Sequence, residues 1–468
     1  MTGSAVRSFH HADPGTSEGT WLGDARWDGV GVLDVPALVR RHPRVLVVSA
    51  HPDDETLGVG ALVADLAAAG ARVELLVATD GERSHGDLDA RGRAALGRRR
   101  RAELDAAVER LAPGTRTTYL ALPDGTLDRH HATLVDEVRR RLSPGTLVVA
   151  PWSADGHGDH DALGLACAEA VGAGGGNLVH YPIWLWHWGA PDDLPWDVVV
   201  VAEPSVASLW RKRAALGQFV SQTTVWNGPD AVEPSAAPVL GAAVLARAHR
   251  VVETLLDPGH VLPVQPAEAL SEQSADRAER FDRMYDTGGD PWGFTGSFYE
   301  DRRRALVLAA LGRRRYSRAL ELGCADGRLT AALLERSDEV VALDTSAAAV
   351  AAARDRAPGA TVVQGSAPED LPDGPFDLVL VSEVGYFLRP LELLATLRRV
   401  EAALGAGGEI VLCHWQHPTS DVPLDGVLVH EQAATALGRA LRASYRDVDL
   451  HVDVWGDGPS VATQEGRT

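Results

Sequence analysis

Short runs of β-branched and aliphatic residues recur along this chain, each followed by a stretch whose apolar positions return every three or four residues. That alternation is the pattern of α/β architecture with a mainly parallel sheet. The first block predicts strands at 44–50 (RVLVVSA), 72–79 (RVELLVAT), 117–122, 146–151, 178–184 and 198–202. Helices are predicted near 58–70, 91–111, 210–222 and 239–256. From 257 to 276 the pattern lapses, with Pro258, Pro263 and Pro266 interrupting any helix. A second block then predicts strands at 319–322, 340–344, 361–364, 376–382, 409–415 and 447–455, the last entered from a helix at 430–443. The expectation is two Rossmann-like, three-layer domains, 1–260 and 277–468, joined by a linker over 261–276.

Composition narrows the class of partner. The 468 residues carry a net charge of −20 and are 45% hydrophobic, enough for large cores. Such acidity argues against nucleic acid and anionic membranes, which call for clustered cations. A small-molecule substrate is expected, and self-association is left open. Cys167, Cys324 and Cys413 are too few and too far apart for a disulfide framework or a Cys-x-x-Cys clip. The first twenty residues lack the apolar centre of a leader, and no run reaches the ~18–20 residues that span a bilayer. A cytoplasmic location is expected. Of the 45 basic residues only Lys212 is lysine.

Two tetrads of one form follow predicted strands: His51-Pro52-Asp53-Asp54 and His157-Gly158-Asp159-His160. Loops at the carboxyl ends of parallel strands are where open α/β sheets bind ligands. Neighbouring strands would bring three imidazoles and three carboxylates to one crevice. Two histidines and a carboxylate with an open position make a catalytic zinc set, and they suit non-haem iron(II) equally. A spare aspartate beside such an ion can move the proton of a hydrolytic water. Asp80, Arg83 and His85, with Asp124 in another loop, are candidate contacts for sugar hydroxyls. The Arg98–Arg101 run reads as an exposed helix face, and Trp184, Trp186 and Trp188 alternate like one face of a strand.

The segment Ala50 to Glu55 (AHPDDE) resembles the signature of PIG-L/LmbE-like zinc N-deacetylases, and 155–160 (DGHGDH) is similar to their second motif. The likeness runs from about 21 to 256. It implies zinc on His51, Asp54 and His160, with Asp53 as general base. His157 would stabilise the oxyanion and Asp159 would orient it. Gly158 departs from the proline common in that family.

Ala319-Leu-Glu-Leu-Gly-Cys-Ala-Asp-Gly327 is a strand entering a glycine loop and a helix. Gly323 and Gly327 permit tight turns and close approach of a cofactor. Ala325 stands where G-x-G-x-x-G has its middle glycine, and Glu321 suits an ammonium better than a pyrophosphate. Asp344 ends the next strand, placed to accept ribose hydroxyls. The loop is similar to motif I of class I S-adenosylmethionine-dependent methyltransferases. That likeness puts Cys324 and Thr345 in the cofactor site and Ser366 and Ala367 at the adenine.

More narrowly, 281–455 looks like the nodulation-protein-S-type N-methyltransferases. The carriers are Asp290-Pro-Trp-Gly-Phe294, 297–303, Ser382-Glu-Val-Gly-Tyr-Phe387 and Cys413-His-Trp-Gln-His-Pro418. Trp292 and Arg303 are candidates for a lid over the cofactor. Glu383, Tyr386, His414 and His430 are candidates beside the acceptor, with Glu383 and His414 as proton acceptors and Tyr386 as a substrate contact. The combined expectation is a bifunctional enzyme that deacetylates an N-acetyl amino sugar or glycoside and N-methylates the freed amine. The alternative is two fused enzymes with different substrates, or methylation at oxygen or carbon, in one natural-product pathway.

Overall fold

The apolar runs of the first block pair into one sheet. Its strands are β1 (Gly31–Val32), β2 (Arg44–Ser49), β3 (Arg72–Thr79), β4 (Arg116–Leu122), β5 (Thr146–Pro151), β6 (Asn177–Tyr181), β7 (Val199–Ala202) and β8 (Glu253–Leu256). Their order is β1-β7-β8-β6-β5-β2-β3-β4. Every pairing is parallel except those of β8, which lies antiparallel between β6 and β7. Strand β2 shows why its sequence is continuously apolar. Val45 and Val47 join one core with Leu62, Leu104 and Leu111, while Leu46 and Val48 join another with Val138 and Leu163. Both faces are covered by helices, so no position alternates to solvent.

The second sheet comprises β9 (Tyr316–Leu322), β10 (Ser337–Asp344), β11 (Thr361–Gln364), β12 (Phe376–Ser382), β13 (Leu404–Trp415), β14 (Leu441–Arg446) and β15 (Leu450–Gly456). Their order is β11-β10-β9-β12-β13-β15-β14, with β15 antiparallel to both its neighbours. Leu378, Leu380, Val411 and Val454 meet helix Phe298–Ala310 through Val307.

This computed structural model describes residues 13–86, 88–225, 237–288 and 290–467. The chain divides between Gln265 and Pro266 into two units. Helix Ala267–Gly288 occupies most of the stretch read as linker, because its amphipathic period begins only after Pro266. The helix read over 239–256 is instead Ala242–Ala248 followed by β8, and the one over 430–443 is Gly426–Ala436 followed by β14. Runs of four to six residues carry too little period to separate strand from helix. The strand read over 178–184 stops at Tyr181, and the tryptophan-rich segment forms a helical turn, Leu185–Trp188. Trp186 packs edge-on against Trp21 in the interior. The leader-free reading of the N-terminus falls partly on residues 1–12, outside the described residues. Among the described residues no helix is long and apolar enough to cross a membrane.

Candidate active sites

Strand order creates the first site. The chain leaves β2 for β3 and β4 on one side, then returns to place β5 on the other, with Val47 opposite Val149. The crevice at such a switch point lies between the two tetrads. Ligand atoms of His51, His157 and His160 all lie within 4.8 Å of one another. Asp54 begins helix Asp54–Ala68, and its Oδ2 accepts the amides of Ala50 (3.0 Å) and His51 (2.8 Å). Its Oδ1 stands 3.3 Å from His160 Nε2. His160 Nδ1–H donates to the fully buried Asp155 (2.7 Å), which leaves Nε2, beside Asp54, as the atom that can exchange a proton for an ion. Two ligands bonded at ~2.0–2.1 Å in a tetrahedral site stand about 3.3 Å apart. Burial opposes charge on His160, yet Asp54 and Asp155 outweigh it and raise its pKa to about 10. The set calls for a cation. His51 completes it, with Nδ1 3.5 Å from Asp54 Oδ2 and Nε2 3.2 Å from Asp124. The residues therefore fit a divalent ion on His51, Asp54 and His160, and the donors suit zinc and iron(II) alike.

Asp53 sits beside these ligands, buried, with Oδ2 held by Arg100 at 2.9 Å. Burial raises its pKa, and the Arg100 guanidinium limits the rise. Arg100 also donates to Gly81 O (2.9 Å) and is only 3% exposed. Arg100 therefore corrects the exposed-face reading of the Arg98–Arg101 run. His157 lies against the other two rings, its Nδ1 buried without a hydrogen bond. Burial and then the neighbouring His160 and His51 push its pKa down to about 3, so it acts as a neutral imidazole. Asp159 accepts from the amides of Gly125 (2.7 Å) and Leu127 (3.0 Å) and stands 3.4 Å from His51 Nε2. Its bonds thus anchor the 124–127 loop against His51 rather than orienting His157. Both oxygens of Asp80 are taken by Arg101 (2.7 and 2.8 Å), while the Arg83 amide donates to Asp124 (2.9 Å). His85 is buried 2.8 Å from Ser221 O.

The second sheet has its own switch point, between β9 and β12. A cavity of about 410 Å³ opens there, lined among others by Glu321, Gly323, Cys324, Asp344, Ser366 and Glu383. Gly323 has φ +73°, and a Cβ there would stand 2.1 Å from Val384 Cγ2. Asp344 caps the loop, accepting the amides of Ala325 (2.9 Å) and Ser346 (3.0 Å). Thr345 and Ser366 join hydroxyls at 2.8 Å, and Ala367 and Trp292 also line the space. Glu321 is buried and, among the described residues, accepts from the Thr330 hydroxyl (2.7 Å) alone, and burial pushes its pKa up to about 8. A buried carboxyl in a cradle without room for a Cβ fits the ammonium end of S-adenosylmethionine. Beyond it, Glu383 Oε2 accepts from the Tyr386 hydroxyl, whereas Glu383 Oε1 and the Tyr299 hydroxyl are buried with no hydrogen bond. Burial moves Glu383 up to about 7, partly countered by Arg303.

Comparison with known proteins finds a family match in each unit. Residues 46–171 match the PIG-L family, described as GlcNAc-PI de-N-acetylase, and residues 319–408 match a methyltransferase domain family. The chain joins a PIG-L-type deacetylase domain to a methyltransferase domain. One relative is a 1D-myo-inositol 2-acetamido-2-deoxy-alpha-D-glucopyranoside deacetylase of Kineococcus radiotolerans, 32% identical over 34% of this chain and 51% of its own. Another is nodulation protein S of Azorhizobium caulinodans, 28% identical over 26% of this chain and 61% of its own. This chain thus spans about half to three-fifths of these curated relatives. A solved N-methyltransferase NodS from Bradyrhizobium japonicum, with S-adenosyl-L-homocysteine, is 18% identical over 39% of this chain and 98% of its own (TM-score 0.35).

Within the methyltransferase unit, three expectations change. His414 does not line the cavity: it is fully buried behind the 383–387 loop, where its Nε2 accepts the Gly385 amide (3.1 Å). Arg303 lines the cavity but is no lid, because Glu300 (2.7 and 3.0 Å) and Ser382 (2.6 Å) hold its guanidinium in the interior. Gly327 makes the expected tight turn at φ +78°, but it does not line the cavity, and a Cβ there would stand 2.7 Å from Ala353 Cα. In the deacetylase unit, Asp155 and Arg100 had no assigned role in the sequence. Asp155 stood inside a quoted motif, whereas nothing near Arg100 points to Asp53, 47 residues away. Tyr299 stood inside the quoted segment 297–303 without an assigned role.

Proposed function

We propose that the deacetylase unit hydrolyses the N-acetyl group of a 2-acetamido-2-deoxy glycoside and that the methyltransferase unit methylates the freed amine. The observation that carries the pairing is the inner end of the methyltransferase cavity. Two buried oxygens of residues that line it, Glu383 Oε1 and the Tyr299 hydroxyl, make no hydrogen bond among the described residues, although the Trp415 amide faces the Glu383 carboxyl, and an N–H donor would satisfy both. The sequence likeness to a deacetylase named for such a glycoside supports the first half.

A divalent ion on His51, Asp54 and His160 supplies Lewis acidity to the amide carbonyl and acidity to water. Asp53 takes the water's proton, and Arg100 fixes the carboxylate that receives it. Asp53 then returns that proton to the departing nitrogen. His157, neutral, donates one N–H to the developing oxyanion. Asp155 and Asp124 fix the ring orientations of His160 and His51.

S-adenosylmethionine supplies the electrophilic methyl group. Glu321 takes its ammonium, and Asp344 its ribose hydroxyls. Glu383 and Tyr299 hold the acceptor nitrogen in line, which is most of the work in this transfer. Glu383, with a pKa of about 7, then accepts the proton the nitrogen loses. Three free, buried cysteines and this cofactor suit a cytoplasmic setting.

Incubating the full chain with an alkyl N-acetylglucosaminide, zinc and S-adenosylmethionine tests the scheme. The expected products are acetate and an N-methylated amine, read by mass. Acetate without methylated amine sinks the coupled version.

A further inference from the structure

A chain of buried polar groups runs behind the acceptor end of the methyltransferase cavity, and methyl transfer as written does not use it. Asp453 on β15 stands 2.7 Å from His430 Nδ1, in helix Gly426–Ala436. His430 Nε2 stands 3.1 Å from His414 Nδ1 on β13, and His414 Nε2 stands 3.1 Å from the Gly385 amide. All three residues are at most 5% exposed.

The donor at one end and the acceptor at the other leave a single proton arrangement. Gly385 N–H can only donate, so His414 Nε2 is a lone pair and its proton is on Nδ1. That proton points at His430 Nε2, which must therefore accept, placing the second proton on His430 Nδ1. Asp453, ionised, receives it. Burial, and for His414 the adjacent His430, keep both rings neutral: His430 is pushed down to about 4 and His414 well below its ordinary value. Free neutral imidazole shows no such uniform choice of Nδ1, so the Gly385 amide at one end and the carboxylate at the other select it together, and the carboxylate is what keeps the His430 proton on Nδ1.

The near end matters because of what Gly385 carries. Glu383, two residues before it, holds φ +60°, a conformation a non-glycine residue keeps only where its surroundings over-determine it. A Cβ on Gly385 would lie 2.6 Å from Val429 Cγ1 and 3.0 Å from His414 Nε2, so the backbone is pressed onto the ring. The Tyr386 ring meets His414 edge-on at 5.6 Å.

We propose that Asp453, His430 and His414 are positioning residues for methyl transfer: Asp453 sets the tautomer of both imidazoles, so that His414 pins the Gly385 amide and holds Glu383 and Tyr386 at the acceptor nitrogen. The proposal rests on reading this cavity as the methyl-transfer site. Nothing passes along the chain, since a peptide amide at its end has no proton to exchange in the reaction.

The test uses the full chain with 15N-labelled histidine at pH 7. Long-range 1H–15N spectra should include two neutral Nδ1–H signals that are lost in His414→Phe and His430→Phe respectively. In Asp453→Leu the Nδ1–H pattern should disappear. The same variant should lower kcat for an alkyl glucosaminide about 10–100-fold, the scale of a small misplacement of reacting groups, with the Kd for S-adenosylmethionine unchanged within about twofold. Asp453→Asn keeps an oxygen for His430 and should restore both pattern and kcat. An Nε2–H or protonated His414 in the unsubstituted chain overturns the proposal, as does normal kcat in Asp453→Leu. Ligand atoms of His430, His451 and Asp453 also lie within 4.8 Å of one another. Loss of the His430 Nδ1–H signal on adding zinc alone would therefore make this a metal site and overturn the proposal too. If the unsubstituted chain methylates no amine, the tautomer pattern still decides the structural half, so the two readings fail separately.

Discussion

Replacing the single lysine shows how the deacetylase site depends on a buried charge far from its chemistry. Helix Asp54–Ala68 breaks at Val59, which has φ −140°. Lys212 Nζ donates to Leu57 O (3.0 Å) before the break and to Glu253 Oε1 (2.6 Å). The Glu253 carboxylate accepts the amides of Ala61 (2.9 Å) and Leu62 (2.7 Å) after it. The cation thus ends one helical segment and the anion starts the next, in accord with the helix dipole. Lys212 and Glu253 are 3% and 2% exposed. Lys212→Met leaves that carboxylate buried without its cation, a loss of about 3–5 kcal/mol. For a unit of this size each kcal/mol moves Tm by about 2–4 °C, so calorimetry of the full chain should show its transition fall by about 6–20 °C. Adding Glu253→Gln removes the stranded charge and should recover at least half of the loss. The reasoning fails if Lys212→Met costs less than ~1 kcal/mol, the value of an exposed pair, or if the double variant is no better than the single.

Three further outcomes follow from the sites. Asp155→Asn weakens the acceptor that orients His160, so zinc affinity should fall about 10–100-fold in a competition titration, with the rest of the fold intact by circular dichroism. Arg100→Met removes the cation that holds down the Asp53 pKa, so the acid limb of the deacetylation profile should move to higher pH; a limb that stays put or moves down contradicts the assignment. Glu383 must be ionised to accept a proton, and its pKa lies near 7. Methyl transfer should therefore rise as pH increases through 7, and Glu383→Gln should flatten that limb and lower kcat, measured as methylated product per unit time.

Much of each site was legible because strand, loop and helix start follow one another within a few residues. The first tetrad and the glycine loop sit directly after apolar runs and the second tetrad one short loop later, and those runs became β2, β9 and β5. Readings failed where the signal was short or shared. The four residues of β8 look helical in isolation and become a strand only because β6 and β7 offer hydrogen bonds on both sides. His414 sits at the end of a strand like a site residue, but the 383–387 loop lies between it and the cavity. The arginine run 98–101 is uniformly charged, and only packing of helix Ala90–Leu111 onto the sheet sends Arg100 inward while Arg99 stays half in solvent.

By itself the sequence determined the two α/β units, the ligand types of the metal-fitting site and the Glu321–Asp344 pair around a glycine loop. Local spacing dictates these, since a residue's place relative to its own strand end settles which rim of the sheet it joins. Tertiary structure alone decided that β2 lies beside β5, that Arg100 meets Asp53, that Lys212 meets Glu253 and that Asp453 governs His414 through His430. These pairings join residues 16 to 102 positions apart, and they follow from strand order and helix packing, which minimise unpaired buried charge and leave no mark in spacing.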